Sequence, residues 1–211
     1  MTGLRRHALV RLSQPPETGV AEDRDRAARW QAAGRPFVIA RGGEDPSSIA
    51  VGFCSVEARF PQLRPRRVAA RTTAAAILDL RRPPALREIA DCAAARPHAA
   101  AFARLAAMAE AAGLDLRVYG SWMWQALTGE AHVRPGSDLD LLVDVADGAG
   151  ANRAVSFLAE AEAGLPFRLD GELSIAGHGE VQWREFGQGA PEVAVKSVGG
   201  LRLMPRAALG A

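Results

Sequence analysis

The chain has 211 residues, 48% of them hydrophobic and 24% charged, with a formal net charge of +2. That balance excludes a disordered or membrane-spanning chain, and a charge this close to neutral does not demand a nucleic-acid partner. Cys54 and Cys92 stand far apart with no Cys-x-x-Cys and no Cys/His spacing, which excludes a zinc site and suits reduced thiols in a cytoplasmic protein.

The opening residues lack the continuous apolar run of a signal peptide, so a soluble protein without a membrane partner is expected. Taken in chain order, residues 5–12 read as a strand ended by Pro15-Pro16, and 23–33 as a helix stopped by Gly34-Arg35-Pro36. Residues 37–40 and 49–56 read as strands joined by a Gly-, Pro- and Ser-rich loop at 42–48. An arginine-rich stretch with Arg64, Arg66, Arg67 and Arg71 follows, which on its own reads as a solvated basic face. Beyond Pro83-Pro84, Leu86, Ile89, Ala90 and Ala93 share a helical face. Residues 1–95 are read as an N-terminal α+β lobe and 96–211 as a second, catalytic domain.

The second part alternates more regularly. A helix from Pro97 to Gly113 carries Phe102, Leu105, Ala106 and Ala109 on one stripe. A strand at 116–119, a short helix from Gly120 to Leu127 and a strand at 138–143 come next. A helix at 150–163 leads to strands at 167–175 and 181–186, which flank the turn Ala176-Gly177-His178-Gly179, and 193–198 adds another. Helices and strands in this order describe an α/β or α+β mixed sheet flanked by helices.

Chemistry concentrates around Gly120-Ser121 and Ser137-Asp138-Leu139-Asp140. Carboxylates two apart in a strand share a face, and a protein keeps two such charges together most readily where a cation neutralises them. Asp138 and Asp140 are therefore candidate ligands for Mg2+, with two ions roughly 3.5–4 Å apart able to serve an in-line displacement at phosphorus. Asp170 is the preferred third carboxylate, with Glu172 and Glu185 as alternatives. Gly120 permits close backbone approach, and Ser121 with nearby amides can bind phosphate oxygens at a helix start. Ser137 can orient a ligand or cap its turn, and Arg134 can contact a triphosphate. Lys196 reads either as a phosphate contact or as a surface lysine on an edge strand. Trp122 and Trp124 flank the turn, at least one of them expected to pack beneath the short helix, and His178 shows no partner spacing.

A Gly-Ser turn, a short helix and Asp-x-Asp on a strand resemble the nucleotidyltransferase superfamily signature. More narrowly, Tyr119-Gly-Ser-Trp-Met-Trp-Gln-Ala-Leu-Thr-Gly129 with Ser137-Asp-Leu-Asp-Leu-Leu142 resembles the phosphoribosyl-dephospho-CoA transferases of malonate decarboxylase, also called holo-[acyl-carrier-protein] synthases. Arg6-His7, Leu169-Asp-Gly-Glu-Leu173 and Val181-Gln-Trp-Arg-Glu185 support the match. The chain departs from that pattern at Ala8 and His132, and no role is carried to either.

The resemblance implies a nucleotidyltransferase-like fold. It also implies transfer of phosphoribosyl-dephospho-CoA from 2′-(5″-triphosphoribosyl)-3′-dephospho-CoA to a serine of the apo acyl-carrier subunit of malonate decarboxylase, with release of pyrophosphate. It further implies that Asp138 and Asp140 bind magnesium, that Gly120 and Ser121 hold the leaving phosphates, and that Asp170 or Glu172 completes the metal site or takes the serine proton. Two other functions share the motif: a nucleotidyltransferase acting on a small molecule, another protein or an RNA end, and a non-catalytic nucleotide-binding regulatory module.

Overall fold

The computed structural model describes residues 4–42, 47–56 and 64–210. Residues 1–3, and 43–46 of the loop expected at 42–48, lie outside that set. The chain divides into two compact units. One comprises Met1–Pro83, Glu130–His132 and Ser197–Gly200, and the other Pro84–Gly129, Val133–Lys196 and Leu201–Ala211. Residues 84–95 thus group with the second unit.

The first unit is a sheet with one covering helix. Its elements are β1 (Leu9–Leu12), β2 (Glu17–Thr18), α1 (Ala21–Ala32), β3 (Phe37–Ile39), β4 (Ile49–Ser55), β5 (Arg66–Thr72) and β6 (Ile77–Arg81), in the spatial order β2-β5-β4-β3-β1-β6. Alternation places Ile49, Val51 and Phe53 inside with Val68 and Ala70 of the neighbouring strand. Helix α1 covers them with Ala27 and Trp30, and the Trp30 ring lies 4.7 Å from Phe53. The first strand is shorter than expected because His7 adopts a left-handed φ of 66° and Ala8 donates back to the Arg5 carbonyl, a turn that delays strand pairing.

Strand β5 runs through the arginine-rich stretch, where no strand was expected. Its inward positions are filled by Val68, Ala70 and Thr72, and its arginines face outward or toward the rim. Arg66 is a structural residue: its Nε and Nη2 donate to the two oxygens of buried Asp23 at 2.7 and 3.0 Å. Hydrogen bonding from Arg66, reinforced by the charges of Arg66 and Arg26 against the cost of burial, holds the Asp23 carboxyl below its ordinary value. Arg64, Arg67 and Arg71 are exposed, and Arg71 donates to the Ser48 hydroxyl.

The second unit holds α2 (Leu86–Ala90), α3 (Ala99–Ala111), β7 (Leu116–Tyr119), α4 (Gly120–Thr128), β8 (Leu139–Val145), α5 (Gly148–Glu162), β9 (Leu169–Ile175), β10 (Gly179–Gln182), α6 (Trp183–Gly187), β11 (Glu192–Ser197) and β12 (Gly200–Pro205). Its six-stranded sheet runs β12-β11-β10-β9-β8-β7. Strands β8 and β9 are parallel and joined through α5, while β7–β8 and β9–β10 pair antiparallel, so the sheet is mixed and the protein is α+β. Leu139, Leu141, Val143 and Val145 of β8 enter one core with Leu169, Leu173 and Ile175 of β9 and with Phe102, Leu105, Phe157 and Leu158 of the helices.

Three boundaries differ from expectation for local reasons. Helix α5 starts two residues early because Asp147 caps it, its Oδ1 accepting from Gly150 N–H at 2.7 Å. The expected strand at 181–186 ends at Gln182, whose side-chain oxygen caps a helix over the following five residues. Strand β12 was not expected at all; it lies at the sheet edge with Leu201 and Leu203 exposed, so no hydrophobic alternation toward a core marks it. No described helix is long and apolar enough to cross a membrane.

Candidate active site

Where β7 ends, the chain turns sharply into α4. Tyr119 is extended, and Gly120 takes a φ of 69°, which L side chains rarely adopt. Antiparallel register sets Tyr119 opposite Asp140. The Gly120 backbone lies so close to that aspartate that an added Cβ would come within 1.9 Å of Asp140 Oδ2. Glycine is needed here twice over, for the turn and for the approach, and Ser121 follows in the first turn of α4.

Asp138 does not belong to the strand, as the sequence suggested; β8 begins at Leu139, whose N–H is taken by the Arg168 carbonyl at 2.9 Å. Its main chain is nevertheless fixed. Trp122, buried between Phe102 and Phe167, donates its indole N–H to the Asp138 carbonyl at 3.0 Å. Trp122 and Trp124 are both buried, where the sequence led us to expect at least one. Arg168 Nε lies 3.9 Å from Asp138 Oδ1, with both side chains partly exposed.

Parallel pairing of β8 with β9 sets Asp140 directly opposite Asp170. Gly171 lets the strands close, since a Cβ there would lie 1.9 Å from the Leu141 carbonyl oxygen. Tyr119, Asp140 and Asp170 therefore form one cross-strand row. By alternation this row lies on the sheet face opposite the apolar core, because Leu139, Leu141 and Leu169 point into that core.

The structure separates the third-carboxylate candidates. Asp170 Oδ1 accepts from its neighbour's N–H at Gly171 (2.8 Å) and from Gln182 Nε2 (2.9 Å). Glu172 is buried and ion-paired with Lys196, 2.7 Å from its Nζ, so these two charges neutralise each other. Glu185 Oε1 accepts from Ala194 N–H and ties α6 to β11. Ser137 and Arg134 form a turn through two mutual bonds, Ser137 N–H to the Arg134 carbonyl and Arg134 N–H to the Ser137 hydroxyl. His178 sits in the turn at the other end of β9 from Asp170.

Among the described residues, no three His, Cys, Asp or Glu side chains converge as a ready-made metal cage. The donor set is instead a few hard carboxylate oxygens beside a helix N-terminus. Mg2+ is commonly bound in this way, through one or two carboxylates with water and substrate phosphates completing its shell. Asp138, Asp140 and, across the strand pair, Asp170 are the carboxylates here from which such an ion would draw one or two donors.

Comparison with known proteins decides the family. Residues 85–207 match the model of the phosphoribosyl-dephospho-CoA transferase MdcG C-terminal domain, and residues 5–83 match that of the MdcG N-terminal domain. The phosphoribosyl-dephospho-CoA transferase of Xanthomonas campestris pv. campestris (strain 8004) is 36% identical over 211 residues, covering 97% of this chain and 95% of that protein. The chain belongs to the phosphoribosyl-dephospho-CoA transferase family. It is thus a member of a transferase family. The Bradyrhizobium diazoefficiens (strain USDA 110) member is 33% identical over 95% of this chain and 90% of its own, and the Pseudomonas aeruginosa (strain PAO1) member 31% over 78% and 75%. No solved structure gives a significant match.

In this phosphoribosyl-dephospho-CoA transferase family member, sequence reasoning overlooked Arg168 and Gln182. Arg168 stood one residue before Leu169-Asp170 and was hidden by taking the strand to start at 167. Gln182 is one of four polar residues between Glu180 and Phe186, so nothing local set it apart.

A second set of bonds surrounds Leu169, next to Asp170. Glu162 Oε1 accepts the Leu169 N–H at 2.8 Å, and Arg184 Nη2 donates both to Glu162 and to the Leu169 carbonyl. Burial pushes the Glu162 carboxyl up, but hydrogen bonds from Arg184 and Leu169, with the charges of Arg184 and Arg168, outweigh it and hold Glu162 below its ordinary value.

Proposed function

We propose that this chain transfers the phosphoribosyl-dephospho-CoA group of 2′-(5″-triphosphoribosyl)-3′-dephospho-CoA to a serine of the acyl-carrier subunit of malonate decarboxylase, in the cytoplasm. The reading rests on family membership together with one observation: Gly120 brings the start of α4 against Asp140, which faces Asp170 across a parallel strand pair.

In this reading the serine Oγ forms a bond to the donor's α-phosphorus, the bond from that phosphorus to the β-phosphate bridging oxygen breaks, and pyrophosphate leaves. Asp138 and Asp140 would hold Mg2+, which when bound would neutralise the phosphate charge. The amides of Gly120 and Ser121 receive the leaving phosphates at the positive end of α4. Ser137 and Arg134, through their turn, set the approach to Asp138, and Arg134 and Arg168 offer cations to the phosphates. Asp170 completes the acidic set or assists in removing the serine proton. Exposed Arg64, Arg67 and Arg71 in the N-terminal unit attract the anionic donor or carrier.

The test is transfer with apo carrier subunit, triphosphoribosyl donor and Mg2+, followed by pyrophosphate release and the carrier's mass. Wild-type protein should load the carrier, and Asp138→Ala and Asp140→Ala should each lose about 100-fold or more in rate. Robust transfer by either alanine variant would overturn the ligand assignment. Efficient use of ATP in place of the donor would move the function to a nucleotidyltransferase with another acceptor, and tight donor binding without turnover to a regulatory module.

A further inference from the structure

The segment Val181-Gln182-Trp183-Arg184-Glu185 has no place in the transfer chemistry so far, yet two of its side chains grip the residues that carry Asp170. Gln182 is the last residue of β10 and, in register, faces Glu172 rather than Asp170. Its side chain nevertheless crosses to Asp170, donating through Nε2 to Oδ1 at 2.9 Å. Its other amide atom, Oε1, accepts from Glu185 N–H at 2.8 Å and caps α6. The amide orientation follows from chemistry, since a carboxylate can take only the NH2 group and a backbone N–H only the oxygen. Both ends of Gln182 are therefore committed, and the side chain is a strut from the start of α6 to the Asp170 carboxylate.

The consequence for Asp170 is orientation. Oδ1 holds two donors, Gln182 Nε2 and Gly171 N–H, while Oδ2 has no protein partner among the described residues. Two N–H groups on one oxygen hold the plane of the carboxylate in one orientation, with its other oxygen open. One residue earlier, the Arg184–Glu162 pair fixes both backbone groups of Leu169. The start of α6 thus holds the main chain and the side chain of this part of β9 by separate contacts.

We infer that Gln182 is a positioning residue that orients Asp170, leaving Oδ2 toward the cation and the reacting groups. This rests on the reading above that Asp170 belongs to the acidic set. Partners of this kind around metal-ligating groups are worth about 10–100-fold in metal affinity or activity when removed.

Two substitutions separate orientation from helix capping. Gln182→Ser keeps a capping oxygen for the Glu185 N–H but is too short to reach Asp170. Gln182→Glu keeps length and a capping oxygen but has no N–H to donate. The full chain is measured with Mn2+ as the probe, by electron paramagnetic resonance, and by the Mg2+-dependent rate of carrier loading, with thermal unfolding as the check on folding. Both variants should unfold within a few degrees of wild type while losing about 10–100-fold in Mn2+ affinity and in kcat. Asp170→Asn should lose at least as much, and adding Gln182→Ser to Asp170→Asn should cost little more, because the two act through one group. Wild-type Mn2+ affinity and kcat in both Gln182 variants, with Asp170→Asn impaired, would overturn the positioning role and leave the acidic set intact. Multiplicative losses in the double variant would also overturn it, as an effect independent of Asp170. Wild-type behaviour of Asp170→Asn would instead remove Asp170 from the proposed site, and the role of Gln182 with it.

Discussion

Gly120→Ala is the sharpest test of how the acidic row is positioned. Two effects follow from the geometry. A φ of 69° at a residue with a side chain costs about 1–2 kcal/mol. The new methyl would also lie 1.9 Å from Asp140 Oδ2, whereas ordinary contact begins at 3.4 Å, so the carboxylate must retreat by about 1.5 Å. Because the obstructing atoms belong to the Asp140 side chain rather than to backbone, the strain is relieved by moving that carboxylate. A misplacement on the order of 1 Å at a reacting centre costs about 100-fold in rate. Gly129→Ala is the matched control. Gly129 has a φ of 72°, and a Cβ there meets nothing within 4 Å, so it carries the backbone strain alone. Urea unfolding followed by tryptophan fluorescence should show both variants destabilised by about 1–2 kcal/mol. The carrier-loading assay should show Gly129→Ala near wild type and Gly120→Ala down by about 100-fold. Equal kcat/KM for the two variants would refute the argument that Gly120 sets the position of a working Asp140.

Lys196→Ala removes the ammonium 2.7 Å from buried Glu172 and should cost on the order of 2 kcal/mol in urea unfolding, discounted from a fully buried pair because Lys196 is partly exposed. Lys196→Met with Glu172→Gln should recover most of that loss, and a lone Lys196→Ala that unfolds like wild type would contradict a structural pair. A pH series tests His132. Burial pushes its pKa below the ordinary 6.5, with Arg35 acting the same way and Glu130 opposing. The unfolded chain therefore binds the proton more readily, so the contribution of His132 to stability is complete above about 6.5 and falls away as pH drops through the folded value. His132→Phe should flatten stability over that range, and an unchanged slope would show that other groups cause it. The depressed carboxyls of Asp23 and Glu162 act at lower pH. Their contribution is present above the ordinary carboxylate range and is lost as pH falls through their folded values.

Much of the second unit was legible because its pattern and its packing agree. The β8 residues Leu139, Leu141 and Val143 alternate with Asp140 and Leu142 and do enter the core, and the helix stripe of Phe102, Leu105 and Ala109 is buried. Asp140 and Gly120 were found together because a turn glycine and an alternating carboxylate both leave a local trace. Arg66 looked like part of a basic surface because its partner, Asp23, lies 43 positions away. Strand β5 was hidden by arginines on its outer positions and alanines within, neither of which signals a strand. Helix α6 read as strand because Trp183 and Phe186 favour sheets in isolation. The deciding bond, from Glu185 N–H to the Gln182 side chain, depends on the folded turn. The pairing of Glu172 with Lys196 was equally invisible, since it is made between residues 24 positions apart.

The parallel pairing of β8 and β9 also decides when the acidic row can exist during folding. Tyr119 and Asp140 meet through an antiparallel pair whose partners are close in sequence, but Asp170 arrives only after α5 has crossed over and docked. Such crossovers close late, because the loop entropy of a non-local pairing must be overcome before its contacts form. A chain emerging during synthesis would therefore display Asp138 and Asp140 with Gly120 before it has any opposing carboxylate. Completion of the row therefore reports that the crossover has closed.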